Sequence, residues 1–108
     1  MKLKIKMELN IRDEDIEDII DAASFGIDYW AQRAVVDDEN KLYTITDEDD
    51  QVYELRHVDI VRGVKMYIEN GNKPYNIIFD GEIDTCQIDA VVADMIIQYA
   101  CFGEIVYQ

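Results

Sequence analysis

Hydrophobic and polar positions change period along the chain, and each period predicts an element of secondary structure. Residues 2–9 alternate between apolar and polar side chains, which is typical of a half-buried strand. From Asp13 to Phe25 the apolar residues instead recur at helical spacing, and Gly26 suits the end of that helix. The pattern therefore predicts a strand followed by a helix.

The middle of the chain predicts three strands. Residues 27–36 are rich in aromatic and β-branched side chains, and a polar turn follows at 37–40. Residues 42–46 and 52–55 then have the pattern of a hairpin, with residues 47–51 as its loop.

Two more helices are predicted in the C-terminal half. One extends from about Val58 to Glu69. The other begins at Asp84 or Thr85, carries the strongest helical period in the chain and ends at Gly103. Short strands are predicted at 76–79 and 104–107.

The order of these elements, β-α-β-β-β-α-α with a possible final strand, indicates an α+β fold. We expect a single domain over residues 1–108, with an antiparallel sheet of about four strands. The three amphipathic helices would cover one face of that sheet.

Charge changes this picture more than any motif does. The chain carries 24 acidic and 10 basic side chains, a net charge of −14, whereas a small soluble domain usually carries about 2–8 units. Direct binding to nucleic acid or to an anionic membrane is therefore disfavoured, because both require Lys and Arg. The expected partner is basic: a cation, or a protein that itself binds nucleic acid.

Targeting signals and cysteines indicate where the protein works. The N-terminus alternates rather than forming an apolar run, and no stretch is long enough to span a membrane. Cys86 and Cys101 are both expected on the third helix, too far apart to form a disulfide. These features predict a reducing, cytoplasmic location.

Candidate catalytic and metal-binding residues are sparse, so the sequence predicts a protein that is not an enzyme. It has one histidine, His57, and one serine, Ser24, and no spacing relates them. Cys101 is expected to be a buried small residue, and Cys86 has acidic neighbours that oppose thiolate formation. The acidic loop 47–50 lacks the glycine and glutamate of a calcium-binding loop. We expect no cofactor and no dedicated metal site.

Three clusters of carboxylates are the most informative feature. They are Glu14, Glu17, Asp18 and Asp21 on the first helix; Asp37, Asp38 and Glu39 in the next turn; and Asp47, Glu48, Asp49 and Asp50 in the hairpin loop. Like charges at helical spacing destabilise a helix, so such a surface needs a reason. One interpretation is that the charge only keeps the protein soluble. The other is that the carboxylates imitate phosphates and bind a basic protein surface.

Aromatic side chains near these clusters offer a second means of contact. Tyr29 and Trp30 are expected on opposite faces of a strand, so that one of them is exposed. Tyr43 and Tyr53 in the hairpin are also predicted to be exposed and to contact a partner. The alternative is that these aromatic side chains pack across the sheet and are not exposed.

Three segments resemble small acidic proteins encoded by phages and prophages of Firmicutes. The similar segments are residues 15–20, 26–31 and 93–107. Their motifs carry no known chemistry, so no catalytic residue transfers. The resemblance implies a context, because small acidic phage proteins are often inhibitors of host defence, such as anti-CRISPR or anti-restriction proteins.

Together these observations lead to a functional hypothesis and two alternatives. The hypothesis is a phage-derived inhibitor of the anti-CRISPR type, whose three acidic clusters, with Tyr43 and Tyr53, occupy a basic nucleic-acid-binding surface. The first alternative is a structural or regulatory phage protein that forms homo-oligomers through sheet edges or the third helix. The second is a small hydrolase that uses Cys86 or His57.

Overall fold

A computed structural model describes residues 8–70 and 74–108. The helices are α1, Asp13–Gly26; α2, His57–Asn70; and α3, Ala90–Phe102. The strands are β1, Ala31–Asp37; β2, Leu42–Asp47; β3, Val52–Arg56; β4, Ile78–Phe79; and β5, Glu82–Ile83. Short 3₁₀ turns occupy Pro74–Ile77 and Thr85–Gln87.

The main sheet has three antiparallel strands in the order β1-β2-β3. Successive side chains of β2 alternate between its two faces, so Tyr43 and Ile45 are buried while Thr44 and Thr46 lie on the opposite, outer face. The buried face joins a core that includes Trp30. β4 and β5 form a separate two-stranded antiparallel sheet.

Helix α3 packs against both other helices, and a glycine permits close approach at each contact. A Cβ atom at Gly63 in α2 would lie 2.5 Å from the carbonyl oxygen of Ile96. One at Gly26, the last residue of α1, would overlap the carbonyl oxygen of Ala90. The backbone of α3 therefore occupies space that any larger residue at these two positions would need.

The α+β class with three helices and antiparallel strands is confirmed. The predictions of the first helix, of the second helix and of the hairpin at 42–55 are also confirmed, with bounds that differ by at most one residue at either end. The two ion pairs that the spacing of α2 predicts, Asp59 with Arg62 and Lys65 with Glu69, are both present.

Other predicted boundaries were wrong. Residues 27–30 form a turn after α1, so β1 begins four residues later than predicted. The third helix begins at Ala90 because the carboxylate of Asp89 caps it, accepting the backbone N–H of Val92 at 2.9 Å. Cys86 consequently lies in a 3₁₀ turn and not on the helix that carries Cys101.

The remaining predicted strands have different outcomes. Residues 104–107 are not a strand, and of residues 76–79 only Ile78–Phe79 are extended. The predicted strand at 2–9 falls mostly on residues 1–7, outside the described part of the chain. Within residues 8–70 and 74–108, no helix is both long enough and apolar enough to cross a membrane.

Candidate functional site

The outer side of α1 presents a row of carboxylates to solvent. The apolar residues of this helix, such as Ile16 and Ile19, are buried in the core, which turns the opposite side outward. The exposed carboxylates on that side are Glu14, Glu17, Asp18 and Asp21. They recur about once per helical turn, roughly every 5.4 Å along the axis. The predicted acidic side of the first helix is thus present and exposed.

A second acidic cluster lies beside this row. Glu17 and Asp21 of α1 line one small cleft together with Asp37 at the end of β1 and Asp38 in the turn that follows. Lys41 and His57 line the same cleft. Glu39 lies exposed in the same turn. The fold therefore brings two of the three predicted clusters together. We call this surface the acidic face; it consists of Glu14, Glu17, Asp18, Asp21, Asp37, Asp38 and Glu39.

The side chains of Lys41 and His57 tie the turn and α2 to the start of α1. The Lys41 ammonium lies 2.7 Å from one carboxylate oxygen of Asp13, and Nδ1 of His57 lies 3.1 Å from the other. The hydrogen bond from Lys41, followed by that from His57, lowers the pKa of Asp13 below its ordinary value. His57 thus helps to position the acidic face, and Ser24, which donates to the carbonyl of Ile20, does not contact it.

The third predicted cluster lies elsewhere. It occupies the turn between β2 and β3, at the other end of β2 from the acidic face; β2 is six residues long, so the two ends are roughly 16 Å apart. Asp47 is buried and accepts the backbone N–H groups of Asp49 and Gln51 at 2.9 and 3.0 Å. Asp50 has a positive φ and accepts a hydrogen bond from Gln32. Asp47 and Asp50 therefore stabilise this turn, and Glu48, Asp49 and Asp50 are its exposed carboxylates.

The two hairpin tyrosines both pack against other parts of the fold. The prediction that Tyr43 is exposed was wrong, because its side chain is completely buried. Tyr53 is half-buried; its ring packs edge-on against Phe102, with centroids 5.1 Å apart, and its hydroxyl donates to Asp47 at 3.4 Å. Packing within the fold, the alternative interpretation, accounts for both. Tyr29 is exposed and Trp30 is buried, but both lie in the turn at 27–30 and not on opposite faces of a strand as predicted.

An apolar groove lies at the C-terminal end of α1, and nothing in the sequence analysis pointed to it. It encloses about 720 Å³, within the range of roughly 300–1,000 Å³ that is typical of ligand-binding pockets. Its walls come from the end of α1, from α3 and from the C-terminal segment. The residues that matter here are Phe25, Tyr29, Val91, Asp94, Met95 and Tyr107.

A carboxylate buried beneath the apolar walls holds this region together. Oδ1 of Asp94 accepts the indole N–H of Trp30 at 2.8 Å and the amide of Gln98 at 3.0 Å. Its Oδ2 accepts the hydroxyl of Tyr29 at 2.6 Å. Burial and the hydrogen bond to Asp94 raise the pKa of Tyr29 to about 12. Tyr29 is consequently a neutral donor at physiological pH.

The two thiols differ in their surroundings. Burial raises the pKa of Cys101 to about 12, which disfavours the nucleophilic thiolate. Cys86 is exposed, and both cysteines are free thiols. Among residues 8–70 and 74–108, no group of three His, Cys, Asp or Glu side chains is arranged to hold a metal ion.

Comparisons of the chain with protein-family models, with curated proteins and with solved structures found no match. The acidic face and the adjoining groove are therefore the features from which function is inferred.

Proposed function

We propose that this protein is a non-enzymatic inhibitor that uses its acidic face to occupy the basic nucleic-acid-binding surface of a host defence complex. A CRISPR effector in the bacterial cytoplasm is the expected target, in line with the resemblance to small acidic phage proteins. The observation that carries the proposal is the cleft where Glu17 and Asp21 of α1 meet Asp37 and Asp38. If the negative charge served only to keep the protein soluble, two segments that are distant in sequence would not need to bring their carboxylates together.

The acidic face would act by presenting carboxylates where a basic channel normally holds phosphates. In the free protein the carboxylates repel one another, whereas a Lys or Arg of the partner placed between them attracts each of them. Binding relieves that repulsion and is steered by the net charge of −14. Because the contacts are exposed and ionic, affinity is expected to fall as salt is added.

Neutralising the acidic face should weaken binding far more than an equal loss of charge elsewhere. In the variant Glu17→Gln, Asp21→Asn, Asp38→Asn, we expect at least a tenfold weaker Kd, about 1.4 kcal/mol, for a purified effector complex. The control variant is Glu48→Gln, Asp49→Asn, Glu104→Gln, which removes three charges from other exposed positions. Binding is measured by surface plasmon resonance at low and high salt, with guide RNA and target DNA absent or present.

The matched pair separates a specific face from a general effect of charge. Equal weakening by both variants would mean that only net charge matters, and the proposal would fail. Binding to the effector complex that target DNA does not displace would also contradict the proposal. Thermal unfolding provides the check on folding, and the first variant is expected to be at least as stable as the parent because it removes repulsion along α1.

A specific observation also favours the alternative, a phage protein that self-associates. Strand β1 forms one edge of the main sheet, and Val35 and Val36 on its two faces are 42% and 45% exposed. An exposed edge strand is a template for pairing. If two copies paired antiparallel around Val35, Arg33 of each copy would lie opposite Asp37 of the other.

Exchange of these two charges tests self-association. Arg33→Asp alone and Asp37→Arg alone should each abolish a dimer, because like charges would then face each other across the pair. The double exchange should restore it. Sedimentation equilibrium of the four proteins measures this, and Lys65→Glu on the exposed side of α2 is the control. A monomer in every case would dismiss the alternative.

A further inference from the structure

The apolar groove is bordered by side chains that a free surface does not favour. Phe25 from α1 and Val91 from α3 both line it and are 83% and 67% exposed. Half of Tyr29 is exposed beside them. Large apolar side chains gathered around a concavity, rather than scattered singly, are typical of an interaction site.

The groove is continuous with the acidic face. Glu14, Asp18, Asp21 and Phe25 follow one another at spacings of four, three and four residues, so all four lie along the same side of α1. A partner that follows the carboxylates toward the end of the helix therefore reaches Phe25 and the mouth of the groove. One surface thus combines an ionic part and an apolar part.

The carboxylate of Asp94, at the floor of the groove, favours a positively charged group on whatever binds there. A carboxylate has about four acceptor positions. Asp94 uses two on Oδ1 and one on Oδ2, and all three donors, from Trp30, Gln98 and Tyr29, are neutral. The negative charge is consequently not compensated by these contacts, and Oδ2 can accept one more hydrogen bond. The ring of Tyr29 offers a face on which a cation can also rest.

We propose that this groove anchors a basic amphipathic segment of the partner protein, with an apolar side chain between Phe25 and Val91 and a neighbouring Lys or Arg directed at Asp94. The inference rests on the proposed function, since it assumes a basic protein partner. The two parts of the surface have different tasks: the acidic face attracts the partner, and the groove slows its release. Desolvated apolar anchors of this kind usually dominate the affinity of an interface.

Two helical peptides of about five turns serve as probes. One combines leucine on one side with lysine on the other; the second has the same lysines but serine in place of leucine. Affinity is measured by titration, and amide chemical shifts locate each contact. The variant Val91→Glu blocks the groove, and Val52→Glu is its control, since Val52 is 59% exposed on the outer face of the sheet. Both positions are exposed, so both variants should fold.

We expect the leucine peptide to bind about tenfold more tightly than the serine peptide and to shift the amides of Ala90 to Asp94. Val91→Glu should remove that tenfold difference, whereas Val52→Glu should preserve it. The serine peptide should shift amides of the acidic face and lose affinity in high salt, with either variant.

Other outcomes overturn the inference in distinguishable ways. If both peptides bind the acidic face equally well, the groove is not an anchor, although the proposed function survives. If neither peptide binds, the acidic face fails together with the groove. If benzylammonium, added alone, occupies the groove while the leucine peptide gains nothing over the serine peptide, the groove takes a small organic cation and the inference of a protein partner is wrong.

Discussion

Replacing Asp94 by alanine is expected to lower the free energy of unfolding by about 2–5 kcal/mol. The carboxylate is only 7% exposed and accepts hydrogen bonds from Trp30, Gln98 and Tyr29. Without it, the indole N–H of Trp30 stays buried with no acceptor, whereas the amide of Gln98 keeps the carbonyl of Tyr107 and the hydroxyl of Tyr29 as acceptors. The hydroxyl of Tyr29 borders the groove and can turn to water, so it contributes less.

Asp94→Asn is the control that separates hydrogen bonding from charge. Its side-chain oxygen can still accept from Trp30 and Gln98, and its amide can donate to the hydroxyl of Tyr29, which then serves as acceptor. We expect this variant to lose about 1 kcal/mol. Chemical denaturation followed by Trp30 fluorescence measures both variants. Equal losses for alanine and asparagine would show that the buried charge, rather than the three hydrogen bonds, stabilises this region.

Local periodicity was enough to predict the parts of the fold that depend on one segment at a time. The helical spacing of α1 determines which side is buried, and the same spacing places Glu14 and Asp21 together on the exposed side. The hairpin follows likewise from alternation in β2 and β3. These predictions hold because a helix or hairpin satisfies its backbone hydrogen bonds within a short stretch of chain.

Features that depend on hydrogen bonding in turns escaped the sequence analysis. The acidic residues at 47–50 look alike in the sequence, yet Asp47 is buried because two backbone donors of its own turn and the hydroxyl of Tyr53 in β3 converge on it. The wrong prediction for Tyr43 has a different cause, because the sequence did contain the signal that was needed. Tyr43 and Ile45 alternate with two threonines, and that alternation assigns Tyr43 to the buried face.

The convergence of distant segments could not be read from the chain at all. Asp37 and Asp38 meet Glu17 and Asp21 only because of how the sheet packs beside α1. The groove depends in the same way on α1, α3 and the C-terminal segment lying together. One clue was available: Asp94 is the single charged residue within the otherwise apolar α3, with Gln98 one turn later.

Replacing Gln98 by leucine is expected to release the C-terminal segment and to lower the free energy of unfolding by about 2–4 kcal/mol. This side chain is completely buried. Its Oε1 accepts the backbone N–H groups of Val106 and Tyr107 at 2.9 and 2.8 Å, and its Nε2 donates to the carbonyl of Tyr107 at 3.0 Å. The side-chain amide of Gln98 therefore makes the hydrogen bonds that a neighbouring strand would make, although residues 106–107 are not part of a strand.

The segment held by Gln98 contributes packing as well as hydrogen bonds. The ring of Tyr107 stacks on Trp30 with centroids 5.3 Å apart and planes 3° from parallel. Leucine has nearly the volume of glutamine but neither donor nor acceptor, so it would fill the space and leave the segment unattached. The stacked pair would separate, and the near-ultraviolet circular dichroism of Trp30 should collapse before global unfolding begins.

Gln98→Glu distinguishes this mechanism from a simple effect of shape. Glutamate keeps Oε1 for Val106 and Tyr107, but it places a second oxygen 3.0 Å from both Oδ1 of Asp94 and the carbonyl of Tyr107, where the amide of glutamine donates. Two carboxylates in contact repel, so at neutral pH we expect glutamate to destabilise the protein at least as much as leucine does. Gln87→Leu, at an exposed position, should leave the spectrum and stability unchanged. A stable Gln98→Glu variant with an intact Trp30 signal would mean that the C-terminal segment is held by its apolar contacts, and that the groove it borders does not depend on this amide.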